Sequence, residues 1–262
     1  MVINEITSRK NSIINQTALL TSDKRARDAS GLFAVEGAKL FEESIDSGFE
    51  TKSVFFTKKA FSKYESLIQK ANCKNNYLVT DEVYSKLSSE DAPQGILACI
   101  KKPEVLSLAS VNGPYVILED IQNPLNIGAI LRVAYSFGFE NIIFSDKCAD
   151  IYSPKCARAA MGSLFRIKPY FSDNIPETVR LLCKNNVRVF CTYLDSQSKK
   201  LGSFDFLPTD SFVIGNEGHG ASEDVKSACS DTLYIPMNEN AESLNAATAA
   251  AVVMWEMRKK AF

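Results

Sequence analysis

Short apolar runs alternate with amphipathic stretches along almost the whole chain. In the first hundred residues the apolar runs occupy residues 32–35, 53–57, 77–80 and 95–100, and helical spacing occupies residues 38–46, 61–70 and 81–87. Residues 1–30 contain further helical stretches. The pattern predicts an α/β unit of ordinary domain size.

The same alternation continues in the second half of the chain. Apolar strands are predicted at residues 115–118, 141–144, 165–169, 187–192, 212–214 and 233–235, and helices at residues 129–137, 152–161 and 176–184. A long Ala-rich helix follows Ser243, which we predict to cap it. This β-α-β order predicts the α/β class, with a parallel sheet covered by helices on both faces.

The two halves are joined by a polar stretch, residues 101–113, which contains Pro103, Asn112 and Gly113. Such residues are typical of an exposed connection. We therefore predict an N-terminal domain at residues 1–105, a linker at 106–113 and a C-terminal domain at 114–262.

Two of the late strands end in turns that suit ligand binding. Residues 212–214 are followed by three glycines, Gly215, Gly218 and Gly220, which allow the backbone to pass close to a ligand. Their spacing differs from the G-x-G-x-x-G dinucleotide fingerprint, and Glu217 would repel a phosphate. The pattern favours a neutral or cationic ligand and disfavours a nucleotide-dependent oxidoreductase.

Composition narrows the class of protein. The net charge of the 262 residues is −1, so any polyanion must be held by local basic clusters. Seven scattered cysteines, a single histidine and the absence of C-x-x-C spacing make a zinc or other metal site improbable. No apolar run has the length of a membrane span, and the N-terminus lacks the apolar core of a signal peptide, so we expect a cytoplasmic protein with reduced thiols.

Three segments of the second half together resemble the motifs of the SpoU (TrmH-like) branch of the SPOUT RNA methyltransferases. They are Asn123-Pro124-Leu125-Asn126-Ile127-Gly128-Ala129-Ile130-Leu131-Arg132, then Gly215-Asn216-Glu217-Gly218-His219-Gly220, then Ile235-Pro236-Met237 leading to Ser243-Leu244-Asn245. Residues 1–105 are similar to the family's substrate-binding domain, which resembles small ribosomal RNA-binding proteins, through residues 31–37 and 93–98. One departure is Glu239, where the family usually has glycine.

The resemblance implies a deep trefoil knot in the C-terminal sheet, S-adenosylmethionine as the cofactor held in that knot, and a homodimer. It implies RNA as the substrate and 2′-O-methylation of a ribose in ribosomal RNA of the 23S type. A transfer RNA target is an alternative. A catalytically silent RNA-binding or ribosome-assembly protein that retains the fold is a second alternative.

The same resemblance implies the site residues. The catalytic set is Arg132, Asn126, Glu217, Ser243 and Asn245, and the cofactor-binding set is Thr192, Leu194, Gly215, Asn216, Ile235, Met237 and Leu244. A guanidinium stays protonated, so Arg132 is better suited to orienting a hydroxyl and stabilising a developing alkoxide than to removing a proton. Asn126, Ser243 and Asn245 are expected to hold Arg132 or the substrate, and Glu217 to orient its loop by accepting backbone amides.

Other residues are weaker candidates. His219, the only histidine, is interpreted as a turn residue rather than a general base. Basic residues expected to contact RNA are, in the first domain, Lys58, Lys59 and Lys63 and, near the active edge, Lys155, Arg158, Arg166 and Lys168. A cluster at Lys24, Arg25 and Arg27 is interpreted as a solvated helix face.

Overall fold

The computed structural model describes residues 1–108, 113–238, 240 and 243–261. The chain divides into two compact units, the first made of Met1–Glu104 and Asp150–Phe165 and the second of Val105–Ala149 and Arg166–Phe262. Glu239 and Asn112, singled out above, lie outside the described residues.

The first unit contains a five-stranded mixed sheet. Its strands are β1 (Ile3–Ile6), β2 (Leu32–Glu36), β3 (Thr51–Phe56), β4 (Asn76–Val79) and β5 (Ile96–Lys101), in the order β1-β4-β3-β5-β2. Strand β5 runs antiparallel to both of its neighbours, and the other pairs are parallel. The helices are α1 (Ser12–Ser22), α2 (Lys24–Ser30), α3 (Ala38–Asp46), α4 (Lys58–Lys70) and α5 (Asp81–Leu87).

The predicted elements of this unit are found, and one strand is additional. Threonines at the ends of two strands fix the helix starts, since Thr57 accepts a hydrogen bond from the Ala60 amide and Thr80 from the Val83 amide. The additional strand is β1, which lies at the sheet edge beside β4 and buries only Ile6. Such a strand has little apolar alternation for a sequence pattern to detect.

A segment from the middle of the chain, Asp150–Phe165, belongs to the first unit, and helix α7 (Pro154–Ala160) lies within it. Arg27 Nε pairs with Asp150 at 2.6 Å, with side chains only 4% and 10% exposed, and the rings of Phe33 and Tyr152 are 4.9 Å apart. These contacts hold the segment against β2. The first unit thus ends next to the predicted boundary at residue 105, but it also takes up Asp150–Phe165, which was predicted to belong to the C-terminal domain. Arg27 is a buried structural residue, contrary to its interpretation as part of a solvated face.

The second unit contains a seven-stranded sheet in which every pair is parallel. Its strands are β6 (Tyr115–Leu118), β7 (Asn141–Ser145), β8 (Lys168–Ser172), β9 (Val189–Thr192), β10 (Lys199–Lys200), β11 (Ser211–Ile214) and β12 (Asp231–Tyr234), in the order β10-β12-β9-β11-β6-β7-β8. The helices are α6 (Pro124–Ser136), α8 (Ile175–Lys184), α9 (Glu223–Ala228) and α10 (Ala246–Arg258). This confirms the predicted α/β class with a parallel sheet.

Four central strands bring their carboxyl ends together. Strand β11 pairs with β6 through Ile214 and Leu118, while β9 pairs with β11 and with β12. Strands β6 and β11 are buried along their whole length, as expected for the centre of a parallel sheet. The loops that follow these four strands therefore meet at one edge of the sheet.

Among the helices that the structure describes, none has the length and apolar character needed to cross a lipid bilayer.

Candidate active site

The starts of helices α6 and α10 lie side by side at the carboxyl edge of the second sheet. Asn123 caps α6 by accepting a hydrogen bond from the Leu125 amide, and Asn245 caps α10 in the same way from the Ala247 amide, both at 2.9 Å. The prediction that Ser243 caps α10 was wrong. The helix begins at Ala246, and the capping side chain is that of Asn245.

The side chains of Asn126 and Asn245 join the two helix starts. The Asn245 amide nitrogen donates to the Asn126 side-chain oxygen at 3.0 Å, and the Asn126 amide nitrogen donates to the Glu217 carboxylate, also at 3.0 Å. Both ends of the Asn126 amide are thereby used. Asn126 thus joins Asn245 to Glu217. We expected Asn126 to hold either Arg132 or the substrate, and among the described residues it makes no hydrogen bond to Arg132.

Glu217 connects the glycine-rich turn to the start of α6. Its carboxylate accepts hydrogen bonds from the backbone amides of Gln122 and Asn123, each at 3.1 Å. Burial by itself would raise the pKa of Glu217, but the hydrogen bonds from Gln122, Asn126 and Asn123 outweigh it, so the pKa lies below its ordinary value. The ionised carboxylate also stabilises the positive end of the helix. Glu217 accepts backbone amides as expected, although they belong to the loop after β6 rather than to its own loop.

The glycine-rich turn after β11 is closed by its own polar groups. The Asn216 side-chain oxygen accepts from the Gly218 amide at 2.9 Å, and the Asn216 amide nitrogen donates to the Asp120 carbonyl at 2.8 Å. Gly215 lies so close to the end of the turn that a Cβ there would be 2.0 Å from the Ala221 nitrogen. The turn therefore requires glycine at position 215 for reasons of space.

Glu119 anchors the exit of this turn, a role that the sequence analysis missed. The side chain, 9% exposed, accepts hydrogen bonds from the Ser222 amide at 3.0 Å and from the Ser222 hydroxyl at 2.6 Å. Ser222 also caps α9. The sequence did contain a signal for this role, because Glu119 directly follows the wholly apolar strand β6 and a charge there needs a buried hydrogen-bond partner.

A cavity of about 340 Å³, called the cofactor cavity below, lies at this edge. Its lining residues are Thr192, Tyr193, Leu194, His219, Gly220, Leu233, Tyr234, Ile235, Met237, Ser243, Leu244 and Ala249. The set includes five of the seven predicted cofactor residues. The other two, Gly215 and Asn216, build the adjacent turn. The described lining is mainly apolar and contains no lysine or arginine, which suits an uncharged or cationic ligand better than a phosphate.

A second cavity, about 510 Å³ and called the amide cavity below, adjoins the first. It is lined by Gln122, Asn123, Asn126, Glu217, Ser243, Leu244, Asn245 and Ala246. Ser243 and Leu244 line both cavities. Four of the five predicted catalytic residues therefore surround one polar cavity beside the apolar one.

Arg132, the fifth predicted catalytic residue, is exposed on α6 and is not in the described lining of either cavity. It lies six residues after Asn126, which places it about 120° around the helix and about 9 Å along it. Its guanidinium has no hydrogen bond or ion pair with the residues that the structure describes. The structure thus leaves the Arg132 side chain accessible to a substrate.

Two of the four basic residues expected at the active edge, Arg166 and Lys168, lie at the opposite edge of the second sheet. Lys155 and Arg158 belong to the first unit, where Arg158 pairs with Glu90 at 2.8 Å. Lys168 begins β8 opposite Asn141, the first residue of β7, so it and Arg166 lie at the amino edge of the parallel sheet. Arg166 and Lys168 were placed at the active edge because they are near the motifs in sequence. They lie at the start of β8, however, and the strands of a parallel sheet begin at the edge opposite to the one where they end.

Two families of protein match the chain. The model of the SpoU rRNA Methylase family matches residues 113–255, and that of the MRM3-like substrate binding domain matches residues 11–98. Among curated proteins, the chain is 30% identical to the 23S rRNA (guanosine(2553)-2′-O)-methyltransferase RlmP of Bacillus subtilis, over 97% of this chain and 99% of that one.

Solved structures are also similar. The chain matches an AdoMet-bound rRNA methyltransferase from Sinorhizobium meliloti with a TM-score of 0.89 and 26% identity, covering 99% of both chains. It matches a putative RNA methyltransferase of the TrmH family from Porphyromonas gingivalis with a TM-score of 0.81 and 27% identity, covering 94% of this chain and 98% of the other.

Proposed function

Because the chain belongs to the SpoU rRNA methylase family, we propose that it transfers a methyl group from S-adenosylmethionine to the 2′-hydroxyl of a ribose in ribosomal RNA of the 23S type. The observation that carries the proposal is the pair of adjoining cavities, one apolar and one lined by amides and a carboxylate, which share Ser243 and Leu244. The proposed place of action is the cytoplasm.

The cofactor cavity suits S-adenosylmethionine by its chemistry. The apolar side chains of Leu233, Ile235 and Leu244 provide walls for an adenosyl group, and the strand-end backbone provides amides and carbonyls. The described lining lacks the basic residues that a pyrophosphate would need. When bound, S-adenosylmethionine supplies an electrophilic methyl group.

The amide cavity would then position the ribose. Asn126, Glu217 and Asn245 hold one another through hydrogen bonds of 3.0 Å, so their orientation is fixed before a substrate arrives. Arg132, which is exposed and does not line the amide cavity, would have to turn toward the bound ribose, where it would donate to the ribose oxygen and stabilise the negative charge that develops as the hydroxyl proton passes to solvent water. Placing the hydroxyl in line with the methyl group would supply much of the rate.

The first unit offers a surface for folded RNA. Lys59, Lys63 and Tyr64 line a cavity of about 440 Å³ beside Gln94, and the Lys63 ammonium lies 5.1 Å from the Tyr64 ring centre. Lys58 begins the same helix. Cations beside a partly exposed aromatic ring suit phosphates and unstacked bases, which is the manner in which RNA loops are recognised.

We further propose that the second unit forms a homodimer and that its chain is threaded into a trefoil knot around the cofactor cavity. Helices α6 and α10 pack together and expose four large apolar side chains, Leu125, Tyr135, Val252 and Trp255. Exposed apolar side chains concentrated on adjacent helices mark an interface.

Replacing Trp255 by glutamate tests the dimer. The indole is 50% exposed, so a carboxylate there leaves the fold intact but disfavours burial against a second copy. We expect the native chain to sediment as a dimer and Trp255→Glu as a monomer. Leu181→Glu, at an exposed leucine on α8, is the matched control and should remain dimeric. A native chain that sediments as a monomer would contradict the proposal.

The proposed activity is tested with purified protein, S-adenosylmethionine carrying a labelled methyl group, and ribosomal RNA or transfer RNA. We expect label in 23S-type RNA and, after nuclease digestion, in a single 2′-O-methylated nucleotide. Label in transfer RNA alone would favour the alternative substrate. Cofactor binding without transfer to any RNA would favour a silent assembly protein.

A further inference from the structure

Tyr193 lines the cofactor cavity and is held from behind by side chains of α9. We propose that Tyr193 and Lys226 are positioning residues that set the width of the cofactor cavity, an inference that rests on the proposed function. Neither residue belongs to the three motifs described above. Together with Asp195 and Glu223 they are called the Lys226 cluster.

Tyr193 is held at three points, one on its backbone and two on its ring. Its backbone amide donates to the Leu233 carbonyl at 2.9 Å, which extends the pairing of β9 with β12 by one residue. The Lys226 ammonium lies 4.2 Å from the centre of the ring, and the Tyr193 hydroxyl donates to the Glu223 carboxylate. A ring held by a cation on one face and a hydrogen bond at its tip has little freedom to rotate.

Lys226 also holds the loop that follows Tyr193. Its ammonium pairs with Asp195 at 2.7 Å and with Glu223 at 3.4 Å. Asp195 in turn accepts hydrogen bonds from the backbone amides of Gln197 and Ser198 and from the Ser198 hydroxyl. The hydrogen bond with Asp195 raises the pKa of Lys226 above its ordinary value.

The Lys226 cluster thus connects two parts of the cavity lining. One part is residues 192–194, and the other is His219 and Gly220 of the glycine-rich turn, which leads through Ser222 into α9. Because Ser222 donates two hydrogen bonds to Glu119, the start of α9 is held against the end of β6, and α9 can hold the Lys226 cluster in place. Loss of the Lys226 contacts would release the wall at residues 192–194.

The test compares Lys226→Met with the native chain by calorimetry with S-adenosylmethionine and by methyl transfer at saturating cofactor. We expect the dissociation constant for the cofactor to rise about fivefold to tenfold, as one cation–π contact and an exposed ion pair allow. We expect kcat to stay within about twofold, because Lys226 does not line the amide cavity. Tyr193→Leu should act in the same direction.

Two controls separate positioning from general damage. Lys226→Arg keeps the charge and should restore most of the affinity, and Lys184→Met, at an exposed lysine that ends α8, should bind normally. Added salt should weaken binding to the native chain more than binding to Lys226→Met. Unchanged affinity in Lys226→Met, or a fall in kcat with unchanged affinity, would overturn this inference alone. Absence of cofactor binding by the native chain would overturn the proposed function as well.

Discussion

Gly215→Ala is expected to abolish binding of S-adenosylmethionine. A Cβ at this buried position would lie 2.0 Å from the Ala221 nitrogen and 2.2 Å from the Gly220 carbonyl carbon, and neither backbone atom can move without opening the turn. Opening the turn displaces Gly220 from the cofactor cavity and Glu217 from the start of α6. We expect the dissociation constant measured by calorimetry to rise at least about 100-fold, since overpacking against backbone costs several kcal/mol.

Gly218→Ala in the same turn is the matched control. A Cβ at Gly218 would meet only the Asn216 side-chain oxygen, at 3.5 Å, which is ordinary contact. Its affinity for the cofactor should stay within about twofold of the native value, as for a surface substitution. If Gly215→Ala bound the cofactor normally, the turn would not be the support of the cavity that we describe.

Arg132→Ala should abolish methyl transfer and leave cofactor binding intact. The side chain is exposed and lies outside the described lining of the cofactor cavity, so its removal should not disturb the fold or the affinity. Removing a donor that stabilises a developing oxyanion costs about 100-fold to 1,000-fold in rate. Single-turnover transfer to RNA measures the loss, and calorimetry measures the affinity.

Two further variants make this result specific. Arg180→Ala removes an exposed arginine from α8 and should transfer methyl groups at the native rate. Arg132→Lys keeps the charge but loses the planar pair of donors, so it should recover only a small part of the rate. Turnover by Arg132→Ala at the native rate would remove Arg132 from the catalytic set.

Most elements of both sheets could be predicted because their apolar runs end at recognisable caps and turns, whereas β10, two exposed lysines, was not predicted. Strand β11 is four buried residues followed by glycine, and α6 begins with an asparagine cap and a proline. Strand β1 was not predicted because three of its four residues are exposed, so it has no apolar pattern. The packing of Asp150–Phe165 within the first unit was not predicted because it depends on the pairing of Arg27 with Asp150, which lies 123 positions away in sequence.

The members of the site were predictable in large part, but their pairing was not. The motif residues Asn126, Glu217 and Asn245 do converge, yet the hydrogen bond between Asn126 and Asn245 joins side chains 119 positions apart. Periodicity reports only which face of an element is apolar. Periodicity cannot show that the Asn126 amide already has two hydrogen-bond partners or that Arg132 lies outside the described lining of both cavities. Nor can it show that Lys226 lies over the ring of Tyr193.

The burial of Asp150 against Arg27 has a consequence for dividing the protein into parts. The chain passes from one compact unit to the other three times, after Glu104, Ala149 and Phe165. A fragment ending at residue 104 would lose the Asp150 carboxylate that pairs with Arg27 and the Tyr152 ring that packs on Phe33, so it should be less stable than the whole unit. The first unit is therefore discontinuous in sequence, and a single polypeptide that keeps all of its contacts must contain residues 150–165 as well as residues 1–104.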